Sequence, residues 1–590
     1  MKKSLLTLTL ISLLAGCGSD GDDGANGTPG SNGSPGINGS DGKDANTALS
    51  FSLVGRAALN ASSPEGAAEI VAYHHSSQSI YAINSSSDKP TIEILPITQM
   101  DADVLIKDSE GVINNTNLSI QQTITLNDHT AGDANSIAIH QDLLAVAMAA
   151  DNTGELGHIA FYDISGAAPT FIKNVVAGYL PDMVAFSPDG SKVVVANEGE
   201  PKGDYSIDPE GSLSIIDIID AMPASMATQV SLTSFNDKQA SLAASGVVFS
   251  NPTGRTINGN VINTTVAMDL EPEYVAFATD SSTAYITAQE NNALISLNLS
   301  DNSITIKGLG FKDWSNLYFD ASDKDGGVNF KKYPGLYGMY QPDTVASYQW
   351  QGANFIVTAN EGDGREYFFN VADEVACDAA GGLEYDEDDG CLAYSDEKRA
   401  SKLTLGGELA NLGNDDDDIG RLKVSTVMGD ADNDGVYEQL YTYGARSFTI
   451  WDENGLVVFD SGDSVDRITA SIHGEAFNND EDANEGDTRS DAKGAEPEAL
   501  ALGQVGKKML AFVGLERMGG VLVFDISNPH NTTFVDYFIN RGLVENAAVT
   551  GDLAPEGMKF IDAQNSPTGQ ALLIIGNEIS GTVSVWQITQ

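Results

Sequence analysis

The sequence predicts an all-β protein: a seven-bladed β-propeller with long insertions on one face, preceded by a lipoprotein signal and a collagen-like tether. Three observations predict it. First, a short strand opens seven times with one signature, a polar residue (usually a carboxylate after proline) followed by an apolar run. Second, from about residue 50 the chain is a succession of short Val-, Ile-, Phe- and Tyr-rich runs broken by Gly, Asn and Asp, with no long helical period. Third, 590 residues are too many for one ordinary core. Repeats of this kind and spacing fit four-stranded sheets set radially around a channel.

The N-terminal elements come first. Lys2 and Lys3 precede a short apolar stretch, Leu5 to Leu14, which ends in Leu14-Ala15-Gly16-Cys17. This resembles a bacterial lipobox closing a signal peptide over residues 1–16. Cleavage would leave a lipid-anchored Cys17 as the mature N-terminus. Gly18 and Ser19 lack the aspartate that retains lipoproteins at the inner membrane of enteric-type bacteria, so outer-membrane or cell-surface display of an exported lipoprotein is expected. Glycine then falls at every third position from Gly18 to Gly42. Residues 17–45 therefore read as a collagen-like Gly-X-Y tether, spanning roughly 80 Å at about 3.1 Å per residue when extended. A triple helix would need three copies.

The propeller is expected over residues 50–590. Its seven strand starts carry Glu69, Asn135, Asp182, Glu273, Asp343, Glu498 and Glu556, six acids in seven. VAFSPDGSKVVVAN (184–197) reads as two strands joined by a Ser-Pro-Asp-Gly turn. In a propeller the second strand returns to the face where the first began. Its end carries Glu198, Glu290, Glu361, Glu516 and Glu578, a partial second ring on that face. The long connections 219–271, 300–341, 364–436 and 461–496 emerge there as well, and loops on a rigid scaffold are where binding concentrates.

Like charges converging on one mouth require raised pKa values, cationic side chains or bound metal ions. Arg365, Arg446 and Arg517 are the internal cations the sequence offers. Three arginines do not balance eleven acids, so hard divalent ions are expected, Ca²⁺ first and other divalent metals next. The plainer alternative is that each Pro-acid pair caps its own strand and points aside. A separate calcium signal is Asp430-x-Asp432-x-Asp434-Gly435-x-x-Glu438, with acids at alternate positions and a glycine for the turn. It lies in the 364–436 insertion or at its edge, as do Cys377 and Cys391, which are expected to form a local disulfide in an oxidising compartment.

Formal net charge is −53, which excludes a phosphate-backbone surface and hence nucleic acid. Seven histidines occur, none in a hydrolase motif. His74 and His75 read as a surface turn, His140 as a far-face turn, and His473 as part of a mouth insertion. An enzyme here would use metal-bound water or metal-polarised phosphate, with Glu361 on the metal and Arg365, Arg446 or Arg517 holding an anion.

LPDMVAFSPDGSKVVVANEGEP (180–201), DPEGSLSIIDI (208–218), EPEYVAF, TANEGDGRE, GARSFTIWD, GLERMGGVLVFDIS and APEGMKF resemble the choice-of-anchor I domain family, which includes mesenchyme-specific cell surface glycoproteins. The resemblance covers roughly residues 50–590. It implies an exported seven-bladed propeller, held to cells by varying anchors. Alkaline-phosphatase-like or phytase-like labels on some members make a metal-dependent phosphoesterase the alternative to a surface module that binds calcium and an unknown ligand or protein partner.

Overall fold

Each repeat folds as an antiparallel sheet whose first strand lies at or just beyond the acidic signature. The computed structural model describes residues 48–590 apart from 62, 63, 65, 87, 88 and 130, so the signal peptide, Cys17 and the tether lie outside the described residues. Among the described residues, seven sheets of four or more strands begin at Ala67–His74, Ala134–His140, Pro181–Phe186, Val275–Phe277, Val345–Trp350, Pro497–Val505 and Pro555–Ile561. The first strand of each sheet packs on the first strand of the next, and Pro555–Ile561 packs back on Ala67–His74. A closed ring of sheets with their inner strands around one axis is a β-propeller.

The chain closes the ring with its own N-terminal strand. Ser50–Ala58 pairs antiparallel with Thr582–Thr589 and completes the last sheet from the outside. The final sheet is thus tied by residues more than 500 positions apart.

Second strands such as Ser79–Asn84, Leu143–Met148 and Ala571–Asn577 are buried along their whole length. They read as continuous apolar runs because neighbouring sheets cover both faces. Ile83 and Ile92 pack with Val146 and Tyr162 between the first two sheets, and Phe512 and Phe538 with Trp586 and Ile588 between the last two. Each such side chain stabilises the ring by about 1.5–3 kcal/mol relative to exposure. At the strand ends, buried Asn197, Asn360 and Asn577 donate to Ser and Thr of the adjacent third strand. The Asn of each Asn-Glu pair is therefore a sheet tie, and the Glu follows it at the end of the strand.

In the fifth sheet the second strand ends at Asn360 and the third begins at Ser447. The chain between them carries helix Glu374–Ala380, capped by the Asp373 carboxylate, and the Cys377–Cys391 disulfide. Among the described residues no helix is long and apolar enough to cross a membrane.

Candidate functional site

The acids are aimed by a strained turn that recurs. Leu180, Gln341, Glu496 and Ala554 sit two residues before Asp182, Asp343, Glu498 and Glu556, and each has positive φ, between 39° and 54°. A non-glycine residue there costs of order 1–3 kcal/mol and persists only where the surroundings enforce it. Proline follows each one and fixes the next φ. Strand register then slips, between Pro181 and Val184, Pro497 and Leu500, and Pro555 and Met558. A bulge at this point turns the acidic side chain out of the ladder. The end of the second strand is drawn alongside by a repeated bond: the N–H of Glu198 donates to Leu180 O, that of Glu516 to Glu496 O, and that of Glu578 to Ala554 O, each at 2.9 Å. Two carboxylates per sheet are thereby set beside one another.

Neighbouring carboxylates raise one another across these sheets. Burial, then Glu290, pushes Asp182 up to about 7. Burial, then Glu361, does the same for Asp343. Burial, then Glu578 and Asp182, takes Glu69 to about 8. Glu198, Glu273, Glu498, Glu516 and Glu556 are held well above the carboxylate range, by burial first and by neighbouring carboxylates next. Glu290 acts on acids of the third, fourth and fifth sheets, and Glu556 feels Glu69, Glu578 and Asp343. Acids of both expected rings therefore feel one another's charge. The first two sheets contribute least: Asn135 is neutral and donates to Pro181 O at 3.2 Å.

Hydrogen bonds satisfy only part of the site. Gln289 donates its side-chain amide to Glu361 at 2.8 Å and its backbone N–H to Glu273 at 3.2 Å. Among the described residues, the buried Oε2 atoms of Glu290, Glu498 and Glu556 have no hydrogen-bond partner.

The arginines named from the sequence are already committed. Arg365 is 4% exposed and its guanidinium lies 2.6 Å from both Asp269 and Glu271. Arg446 is buried, lies over the Phe319 ring, and donates to Asp466 and to the carbonyls of Asp320, Ser490 and Ala492. It braces loops and offers no face to an anion. Arg517 pairs with Glu496 at 3.1 Å, Glu516 at 3.2 Å, and Glu481.

Sequence reasoning missed the most telling cation. Lys493 places its ammonium 2.5 Å from Glu361 and 3.1 Å from Glu496. Arg489 adds a 2.7 Å pair to Glu496. Carboxylate oxygens of Glu361, Glu496 and Glu516 lie within 4.8 Å of one another, and the chain inserts its own lysine beside them. Glu271 and Glu496 were also missed, although both stand in a visible Glu-Pro-Glu string. Glu200 and Asp363, two residues beyond Glu198 and Glu361, are each raised to about 7, by burial first.

Asp430, Asp432 and Asp434 come together, with carboxylate oxygens within 4.8 Å, whereas Glu438 lies outside that group. The N–H groups of Asp434 and Gly435 donate to Asp430. His74 is not a surface residue: it is 2% exposed, bonded to Ser77 and to Asp142 of the next sheet. His473 ends the helix Ser464–His473, where burial and Arg541 hold it down at about 4.

Residues 69–529 match the choice-of-anchor I domain, a match that opens on Glu69, the first acid of the ring. The chain belongs to the choice-of-anchor I domain family. It is 30% identical over 184 residues to Gigasin-3a of Magallana gigas, covering 29% of this chain and 64% of that protein. It is 25% identical over 301 residues to the mesenchyme-specific cell surface glycoprotein of Strongylocentrotus purpuratus, covering 48% of this chain and 36% of that protein. The chain thus spans less than two thirds of either relative's length. Among solved structures, Kuenenia stuttgartiensis hydrazine synthase aligns at TM-score 0.39 and 12% identity, over 89% of this chain and 97% of that one. The Toxoplasma gondii coronin WD40 domain aligns at 0.40 and 7%, over 92% and 86%.

Proposed function

We propose that this choice-of-anchor I domain is a lipid-anchored, cell-surface, seven-bladed propeller whose acidic mouth binds divalent cations, Ca²⁺ first, and through them a ligand or partner. Surface display is supported by the lipobox at Cys17, the Gly-X-Y tether and the likeness to the cell surface glycoprotein of Strongylocentrotus purpuratus. The observation that carries the cation reading is the set of buried, partnerless Oε2 atoms of Glu290, Glu498 and Glu556 among acids held above their usual range. An all-oxygen carboxylate donor set suits a hard cation. Glu198, Glu273 and Glu290 would hold it on one side of the mouth, with Asp182 and Asp343 beside them. Asp430, Asp432 and Asp434 would hold a second calcium ion in their loop.

Calorimetric titration of Ca²⁺ into the chelator-treated full chain tests this. Tight binding that Glu290→Gln and Glu498→Gln weaken supports the reading. No binding heat and an unchanged melt after chelation defeat it.

The second reading, a metal-dependent phosphoesterase, needs a cation facing a phosphate. Arg365, Arg446 and Arg517 are all engaged by carboxylates or carbonyls, which favours the binding module. Metal-dependent turnover of an aryl phosphate, abolished by both Glu361→Gln and Arg365→Ala in protein that keeps its metal, would reverse that preference.

A further inference from the structure

We propose that a cleft between the second and third sheets, at the end of the propeller away from the acidic signature, docks a lysine or arginine side chain of a partner polypeptide. The cleft has a volume of about 520 Å³, inside the range of roughly 300–1,000 Å³ usual for ligand clefts. The turns that follow His140, Asp163, Phe186 and Ile219 line it. Asn135 and Asp182 stand at the opposite ends of two of these strands, so the cleft does not depend on the mouth.

Its floor is apolar. Leu143 is part of the core between the two sheets, and half-buried Ile172, Phe186 and Ile218 pack against that core. Met222, which is 46% exposed, also lines the cleft. His140 closes the seam between the sheets. Its ring lies 5.7 Å from the Phe186 ring, and a Cβ at Gly190 would come 2.2 Å from its Nε2. Glycine, with a φ of 69° there, lets the Ser-Pro-Asp-Gly turn of the third sheet close on the ring of the second. The cleft is thus set by the packing of two sheets and not by the lie of one loose loop.

The rim is acidic. Asp142, Asp163, Asp189 and Asp220 line the cleft and are exposed. Among the described residues no lysine or arginine forms an ion pair with any of the four, and Asp142 meets His74 at 3.1 Å. Lys192 and Lys173, next in sequence to Ser191 and Ile172 of the lining, are engaged by Asp217 at 2.6 Å and by the Pro223 carbonyl at 2.9 Å. The hydroxyl and N–H of Ser165 hold Asp163 below the ordinary carboxylate value, and the N–H of Ser191 and the hydroxyl of Ser187 bring Asp189 down to about 2. These two acids therefore keep their charge. Among the described residues the four carboxylates are not gathered within 4.8 Å of one another as metal ligands are. A small inorganic cation would leave the apolar floor uncovered, and a neutral apolar side chain would leave the rim unpaired. Lysine and arginine answer both parts, because they lay their methylenes along apolar surface and hold the charged head at a polar edge.

Fluorescence anisotropy of a labelled Gly-Leu-Lys-Leu-Lys-Gly peptide, titrated with the chelator-treated full chain, tests it. The peptide should bind, and the same peptide with glutamine for both lysines should not. Asp163→Asn with Asp220→Asn removes two rim charges and should weaken binding by about fivefold or more, as the loss of two exposed ion pairs does. Met222→Ser removes apolar surface without touching charge and should weaken it by at least about twofold. Asp280→Asn with Asp301→Asn takes two exposed acids from turns of the fourth sheet, and should leave binding within about twofold of wild type. Carbodiimide coupling joins a lysine amine to the carboxylate beside it, so mass spectrometry of the coupled complex should find the peptide on Asp142, Asp163, Asp189 or Asp220. Equal weakening in the Asp280 and Asp301 pair overturns the proposal, because the charge of the whole chain would then explain the binding. So do binding of the glutamine peptide, no binding by the wild type, or crosslinks confined to the mouth acids. Hexylammonium that binds as tightly as the peptide would make a small amine the occupant and overturn the polypeptide reading.

Discussion

Calcium binding at the mouth should expel protons, and the amount can be worked from the structure. Asp182 and Asp343, raised to about 7 mainly by burial, are each about half protonated at neutral pH. A divalent ion binds carboxylates and not carboxylic acids, so it must displace those protons. An ion engaging Asp182 and Asp343 would release about one proton from these two alone at pH 7, and displacing the more tightly held protons of Glu198 and Glu273 would add to the count. Its apparent affinity would rise about 100-fold between pH 6 and pH 8, or about 2.7 kcal/mol, since two sites titrate in that window. Two carboxylates with ordinary values near 4 would change the affinity less than about twofold over the same range. Calorimetry at pH 6, 7 and 8, in two buffers of different ionisation enthalpy, measures affinity and proton count together. Affinity flat across that range with no proton release would refute the reasoning, even if calcium bound.

Three further outcomes are expected. Lys493→Met removes the ammonium that lies 2.5 Å from Glu361 and 3.1 Å from Glu496, so the mouth should bind divalent ions more tightly, by about 10-fold at low salt; unchanged affinity would mean that this lysine does not compete. The metal-free chain should lose stability as pH rises. Glu69, Asp182 and Asp343 bind protons more tightly folded than unfolded, so their contribution is full below about pH 4 and is lost as pH passes about 7–8; melting in chelator should fall from pH 5 to 8, and calcium should flatten the curve. Arg365→Met strands Asp269 and Glu271 as buried acids, which should cost about 3–5 kcal/mol in urea unfolding at pH 7.5 and less at pH 5, where Glu271, raised by burial, takes up a proton.

The fold was legible because its signature is local. A Pro-acid step, a five-residue apolar run and an Asn-Glu end recur within about 20 residues, and the bulge that aims each acid needs nothing distant. Closure of the ring was not legible. Ser50–Ala58 looks like any edge strand, and its partner Thr582–Thr589 is fixed only by the assembled ring. The recurring acids of the candidate site stand in local strings that the sequence displays, and the cations that pair with them do not. Lys493 lies in a loop without a motif and meets Glu361 across 132 residues. Arg365 and Arg446 sit in recognisable strings, yet their partners come from two other connections, Glu271 from 219–271 and Asp466 and Ser490 from 461–496. The buried side chain of His74 depends on Asp142 of the next sheet, which a turn reading of His-His-Ser-Ser does not include.

The central claim is that the acids of this propeller meet at one mouth and hold a divalent ion there. Anomalous X-ray scattering from crystals of the full chain grown with Ca²⁺ or Mn²⁺ tests it most directly. The account predicts an anomalous peak bounded by Glu198, Glu273 and Glu290. A mouth without anomalous density, in crystals whose other sites carry it, would contradict the account.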